Sequence, residues 1–146
     1  MRISGPSHQR GTTIVELLAC LTIVAVLLAI AVPRYAVWRD KMGAREAASD
    51  VVGVLGEARE SAVLRAGFVA VVLDTLRGSI ETRSGGALLT RRDESTRYGV
   101  ALAANRDSVV YDPRGLGYGA STVSIMVRRG AAAESITVSR MGRVHW

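Results

Sequence analysis

One acidic residue, Glu16, lies in an otherwise uncharged run of 21 residues, Thr12–Val32. A carboxylate is costly in so apolar a helix, and it indicates a function that supplies a partner for the charge. A free α-amine four residues earlier is such a partner, and it exists only if the chain is cut between Gly11 and Thr12. The alternative is a side chain at the headgroup boundary whose carboxylate reaches water.

The sequence around this acid, GTTIVELL at residues 11–18, resembles the type IV prepilin motif. A short basic leader, residues 1–11, precedes the acid, and Pro33 follows where this family often has a proline. The resemblance implies cleavage of the Gly11–Thr12 bond by a membrane prepilin peptidase and N-methylation of Thr12. It also implies that Glu16 pairs with the amine of a neighbouring subunit. Thr12 stands where the family usually has Phe.

Two features favour other interpretations of the N-terminal segment. Ala29-Ile30-Ala31 resembles a signal-peptidase site, although the apolar run is longer than the usual core of about 7–15 residues. Four basic residues follow the run and two precede it, so the positive-inside rule alone places the remainder in the cytoplasm. The prepilin resemblance implies the reverse, a single pass through the inner membrane with a periplasmic domain. We follow the more specific motif.

The apolar run has the length and composition of a membrane-spanning helix. As a helix, residues 12–32 measure roughly 31 Å, close to the thickness of the hydrocarbon core. Its twelve Ile, Leu and Val residues favour insertion by roughly 4–7 kcal/mol, whereas a central charge opposes it by about 3 kcal/mol. Insertion is therefore expected despite Glu16.

Helical patterning resumes after Pro33, where a kink is expected because proline lacks an amide donor and crowds the preceding turn. The predicted continuation covers residues 33–66. One apolar face recurs at steps of three and four: Ala44, Ala48, Val51, Leu55, Ala58 and Ala62. Alternating charges on the remaining surface indicate a solvated face, and we expect Gly53 and Gly56 to permit close approach of a sheet.

Residues 67–146 have the pattern of an antiparallel β domain. Predicted strands occupy Phe68–Asp74, Ser79–Arg83, Ala87–Arg91, Ser108–Tyr111, Thr122–Arg128 and Ser135–Arg140. We expect residues 92–106 to form an irregular loop and Gly130–Ala133 a hairpin loop. Together with the long helix, this pattern predicts an α+β fold in which the second half of the helix packs on an antiparallel sheet.

The C-terminal half resembles the H-type (GspH/FimT) minor pseudopilins and minor pilins. The resemblance lies in YDPRG at residues 111–115, two alternating strands, and GRV at residues 142–144. It implies a pilin-like structural subunit of a type II secretion pseudopilus or a type IV pilus, at or near the filament tip. The implied partners are the prepilin peptidase, other pilins or pseudopilins, and the inner membrane.

A DNA-binding minor pilin of a competence pilus is the alternative function. FimT-like pilins that take up DNA carry Gly-Arg-x-Arg, whereas this chain has GRVH at residues 142–145. The candidate DNA or anion contacts are Arg128, Arg129, Arg140 and Arg143, with Tyr118 and Trp146 available for stacking. The competing interpretation is a solvated, arginine-rich strand face.

Composition argues against several other classes. The chain has 19 basic and 13 acidic residues, a formal net charge of +6, one cysteine and two histidines at opposite ends. This inventory supports neither a disulfide scaffold nor a structural zinc site. Since no catalytic motif is present, we expect no enzymatic activity, no metal and no cofactor, and GLGYG at residues 115–119 is interpreted as a turn.

Overall fold

The fold joins one long helix to two antiparallel sheets. The computed structural model describes residues 13–119 and 122–146. The helices are α1 (Ile14–Leu64) and α2 (Glu94–Tyr98). The strands are β1 (Val69–Asp74), β2 (Ser79–Ser84), β3 (Ala87–Asp93), β4 (Ala101–Ala104), β5 (Ser108–Tyr111), β6 (Gly117–Tyr118), β7 (Val123–Arg129), β8 (Ala132–Val138) and β9 (Val144–His145). The residues fall into two compact units that divide between Ala36 and Val37.

The N-terminal unit is the first part of α1, and its apolar side chains face outward. All twelve Ile, Leu and Val side chains from Ile14 to Val32 are at least 49% exposed. In the described part of the chain, α1 is the one helix long and apolar enough to cross a membrane. Burying this surface in lipid or against other helices would stabilise it, since transfer of apolar area from water is favourable.

The second part of α1 supplies one wall of the globular core. Its buried residues are Gly43, Ala44, Ala47, Ala48, Val51, Val54, Leu55, Ala58 and Ala62. This set contains every residue of the predicted apolar face. Many of these buried residues are alanines, whose small side chains permit close packing on this face. The expectation for Gly53 and Gly56 is wrong: both are exposed, and a Cβ at either would meet nothing within 4 Å.

Two sheets pack on this wall. The first has the order β3-β2-β1-β5-β6, the second has the order β4-β7-β8-β9, and every pairing is antiparallel. Alternate residues of β1 are buried, namely Val69, Val71 and Leu73, as the period of a strand with one core-facing side requires. The predicted α+β fold is confirmed.

Residues 92–106 are not the predicted loop. They contain the end of β3, helix α2 and strand β4. Asp93 caps α2 by accepting a hydrogen bond from the Thr96 amide at 3.0 Å, and Gly99 ends it in the left-handed region at φ 65°. Five residues are too few for a helical period to show in a sequence, and the alanine-rich β4 lacks β-branched residues.

The hairpin between β7 and β8 is tighter than predicted. Its turn is Gly130 and Ala131, with Gly130 at φ 53°. β8 begins at Ala132 and ends at Val138, whereas a strand over Ser135–Arg140 was expected. Alanine has low strand propensity, so pairing with Arg128 and Arg129, which the sequence alone does not show, extends this strand backward.

Candidate functional site

Glu16 and Thr13 bind each other at the start of α1. The Thr13 amide donates to Glu16 Oε2 at 3.4 Å, and the Glu16 amide donates to Thr13 Oγ1 at 3.3 Å. This reciprocal pair is a capping box, which satisfies amides that an α-helix leaves unbonded at its N-terminus. The Thr-x-x-Glu spacing is the sequence signature of this motif. It gives Glu16 a role beyond the intermolecular pairing and the headgroup position considered from the sequence. Both bonds are long and exposed, so the carboxylate remains open to a stronger partner.

The predicted processing site immediately precedes Thr13 in the sequence. Gly11 and Thr12, the predicted positions of cleavage and methylation, are outside the described residues. Farther along the apolar run, the Thr22 hydroxyl donates to the Leu18 carbonyl at 2.7 Å, so that its polar hydrogen is satisfied within the helix. Pro33 lies inside α1, and the kink expected there stays a prediction.

Arg129, predicted as an anion contact, is part of the packing of the globular unit. Its Nε lies 3.4 Å from Asp40 Oδ1, and its Nη1 donates to the Tyr98 carbonyl at 2.7 Å. Gly43 of α1 lies directly against the guanidinium, where any Cβ would overlap it. Arg129 therefore joins α1, the end of α2 and β7. It is a poor candidate for binding an external phosphate.

The four predicted anion-binding arginines do not form one face. Arg128 and Arg129 end β7, which pairs them with Ala133 and Ala132 at the start of β8. Arg140 and Arg143 follow the other end of β8. At about 3.4 Å per residue, the length of this strand separates the two pairs by roughly 20 Å.

The two C-terminal motifs of the family resemblance pack against each other. Asp112 Oδ1 accepts hydrogen bonds from the amides of Arg114 and Leu116, both at 2.9 Å, and thereby shapes the loop after β5. The Gly115 carbonyl accepts a hydrogen bond from Arg59 Nε of α1 at 2.8 Å. A Cβ at Gly142 would lie 2.9 Å from that same carbonyl oxygen. These motifs therefore have a structural role.

Replacing Gly142 with Ala is expected to destabilise the globular unit more than replacing Gly85. Both glycines have positive φ, 70° and 57°, but a Cβ at Gly85 meets nothing within 4 Å. The backbone conformation costs an alanine about 1–2 kcal/mol at either position, and the carbonyl contact adds about 1–3 kcal/mol at Gly142 alone. Urea unfolding of the full chain in detergent micelles measures the difference. Equal losses would show that residue 142 does not pack on the loop.

A charged cluster pins β3 and α2 to the second part of α1. Arg92 binds Asp50 through Nη1 and Glu57 through Nη2, the latter at 2.9 and 3.1 Å. Arg97 Nη1 lies 3.3 Å from Asp50 Oδ2, and the Tyr98 hydroxyl donates to the same oxygen at 3.5 Å. The alternating charges of this helix were interpreted as a solvated face; for Asp50 and Glu57, two of those charges, that interpretation is incomplete.

Glu94, the first residue of α2, is fully buried beside this cluster. Within residues 13–119 and 122–146, no donor reaches either of its carboxylate oxygens. Burial, together with the neighbouring Asp50 carboxylate, raises the pKa of Glu94 to about 7, although Arg92 and Arg97 oppose the shift. The acid form can donate its proton to Asp50, which the ionised form cannot do. Nothing in the sequence pattern marks this residue.

Side chains that could bind a metal ion are not clustered in the described part of the chain. The described residues contain no group of three or more His, Cys, Asp and Glu side chains that could hold a metal ion. Cys20 is exposed on the apolar part of α1.

Two family models match different parts of the chain, and both fit a pilin-like protein. The family model described as type II transport protein GspH matches residues 47–142, and the prokaryotic N-terminal methylation motif matches residues 6–32. No curated protein matches.

Similar solved structures include two crystal forms of the type IV minor pilin FimU from Pseudomonas aeruginosa strain PAO1. The P21 form has a TM-score of 0.60 and 14% identity, covering 69% of this chain and 85% of that one. The P65 form has a TM-score of 0.58 and 14% identity, covering 69% and 90%. At this identity the likeness establishes a shared pilin fold. The GspH family model matches more than half of the length of this chain. The chain therefore belongs to the GspH family of pilin-like proteins.

Proposed function

We propose that the chain is a minor pilin-like structural subunit of a type II secretion pseudopilus or a type IV pilus. Prepilin peptidase cuts it between Gly11 and Thr12, and it is then assembled at or near the filament tip. The observation that carries the proposal is the methylation-motif match over residues 6–32, which coincides with an exposed apolar helix that has Glu16 in its first turn.

Before assembly, the apolar part of α1 anchors the subunit in the inner membrane by a single pass, with the globular unit in the periplasm. The outward-facing apolar side chains of this part of α1 support the membrane anchor, since in water they would expose a continuous apolar surface. After assembly, the same side chains pack against the helices of neighbouring subunits, so that one surface serves both states.

Assembly exchanges the partner of Glu16. In the single chain, the carboxylate is held by the Thr13 amide at 3.4 Å, a weak and exposed bond. In a bundle of apolar helices, the ammonium of a neighbouring chain is a far stronger partner, because charges attract more strongly where the dielectric is low. Leaving either charge unpaired there is costly, so the pair fixes the axial register between subunits.

The DNA-binding alternative has less support. Two of its four candidate contacts, Arg128 and Arg129, are separated from Arg140 and Arg143 by the length of β8, and Arg129 is bound to Asp40. Phosphate contacts supply most of the nonspecific affinity for DNA. We therefore propose the structural role.

Cell fractionation tests the proposal. In cells that make prepilin peptidase, we expect the chain in the sheared filament or isolated pseudopilus fraction. In otherwise identical cells without the peptidase, it should remain in the membrane fraction. Equal distribution in the two strains would contradict the proposal, because assembly would then not depend on processing.

A further inference from the structure

One edge of the globular unit exposes two aromatic rings among four arginines, and we call it the basic aromatic surface. Its members are Phe68, Arg106, Arg114, Tyr118, Arg140 and Arg143. The rings of Phe68 and Tyr118 meet edge to face with centroids 5.0 Å apart, and both residues are more than half exposed. Arg106 and Arg140 line one cleft together with Tyr118.

Local packing brings the other two arginines to the same place. Arg114 precedes Gly115 and Arg143 follows Gly142, and the two glycines are in contact through the Gly115 carbonyl. A Cβ at Gly117, next to Tyr118, would lie 2.9 Å from the Arg140 carbonyl. The surface is thus built by the loop after β5, by β6 and by the turn after β8. Arg106 and Arg114 were not among the contacts predicted from the sequence, because this surface forms only when distant loops meet.

Within the described residues, the four arginines of this surface lack the ion pairs that eight other arginines of the globular unit form. Eight arginines in the described chain have a carboxylate oxygen within 3.7 Å: Arg39, Arg45, Arg77, Arg83, Arg91, Arg92, Arg97 and Arg129. None of these ion pairs involves the basic aromatic surface. One nearby acid, Asp112, uses Oδ1 to accept backbone amides, and Asp107 is an exposed neighbour of Arg106 in the chain. The surface therefore carries an excess of uncompensated positive charge.

We propose that the basic aromatic surface docks a neighbouring filament subunit whose contact patch is apolar and ringed by aspartate and glutamate. This inference rests on the proposed function. Exposed Tyr and Arg side chains are the residues that most often dominate protein–protein binding energy, and complementary charge at the rim speeds association and selects the partner. Carboxylates from the partner would supply the ion pairs that the four arginines lack within their own chain.

The observations favour a protein over a nucleic acid. The edge of one ring packs against the other, which leaves less of Tyr118 free for base stacking. Exposed aliphatic side chains lie close by, since Val63 approaches Gly115 and Leu64 follows it in α1. A polyanion would leave that apolar area in water, whereas an apolar protein patch would cover it.

Photo-crosslinking in cells tests the proposal with the full chain. A photoreactive phenylalanine analogue replaces Tyr118, and a second chain carries it at the exposed Leu76 as a control for position. We expect crosslinks from position 118 to a peptide of another pilin subunit that contains Asp or Glu. Reversing Arg140 and Arg143 together to Glu should lower this yield at least tenfold. Reversing Arg128, which is exposed in β7 and pairs with Ala133 near the start of β8, should change it less than twofold.

Three outcomes would overturn the inference. In the first, the chain is processed and found in filaments, but position 118 gives no crosslink to another subunit. The proposed function would then still stand. Another is an adduct that nuclease removes, which would assign the surface to nucleic acid. The third is a chain that stays unprocessed and outside filaments, which would remove the proposed function and this inference together.

Discussion

Replacing Glu16 with Gln should leave the chain in the membrane but lower its incorporation into filaments by about 100-fold or more. Gln cannot neutralise the amine of a neighbouring chain, and an unpaired charge in an apolar interior costs about 3–5 kcal/mol. Each 1.4 kcal/mol is about tenfold in an equilibrium. Comparing the chain in filament and membrane fractions by immunoblot measures the effect.

Gln is the informative substitution because a capping box accepts Gln as well as Glu. The start of α1 should therefore stay intact in Glu16→Gln, and only the charge is lost. Thr13→Ala is the matched control, since it removes the hydroxyl that accepts from the Glu16 amide and keeps the carboxylate. Incorporation should fall far less in this variant. If Thr13→Ala were the more defective of the two, helix capping rather than charge pairing would explain the role of Glu16.

The stability of the globular unit should decline from about pH 4.5 to pH 7 through Glu94. Its pKa is about 7 in the folded chain against an ordinary 4.5, so the folded state holds a proton that the unfolded state has lost. This contribution is complete below the ordinary pKa and decreases as the pH rises toward the folded value. At about 1.4 kcal/mol per pH unit, the loss approaches about 3 kcal/mol.

The difference between the wild type and Glu94→Gln isolates this effect from other titrating groups. Gln keeps a donor that can reach Asp50 and has no proton to lose, so the variant should lack the Glu94 contribution to the slope. Urea midpoints of the full chain in detergent micelles, read by pulse proteolysis, give both curves. Parallel curves over this pH range would show that Glu94 titrates as an ordinary carboxyl.

The sequence predicts best what depends on near neighbours along the chain. Ala44 and Leu55 fall on the buried face of α1 because the helical period places them there. The capping box is equally local, and its Thr13–Glu16 spacing was available to sequence reasoning. The short α2 escaped prediction because it consists of little more than a cap at Asp93 and a left-handed end at Gly99.

Long-range partners account for most of what the sequence could not show. Arg129 belongs by pattern to an exposed basic strand, yet Asp40 of α1 binds it. Arg92 reaches Asp50 across a separation of 42 residues. The pattern of charges along the chain cannot distinguish such an ion pair from solvated charges, because the pair forms only when the sheets pack on the helix. The basic aromatic surface is another product of that packing.

The mass of the intact chain, recovered from membranes of cells that make prepilin peptidase, shows directly whether the leader is removed between Gly11 and Thr12. We expect a protein that begins at Thr12, with or without one added methyl group. Retention of residues 1–11 would contradict this expectation, and a chain that begins at Val32 would identify an ordinary secretory signal instead.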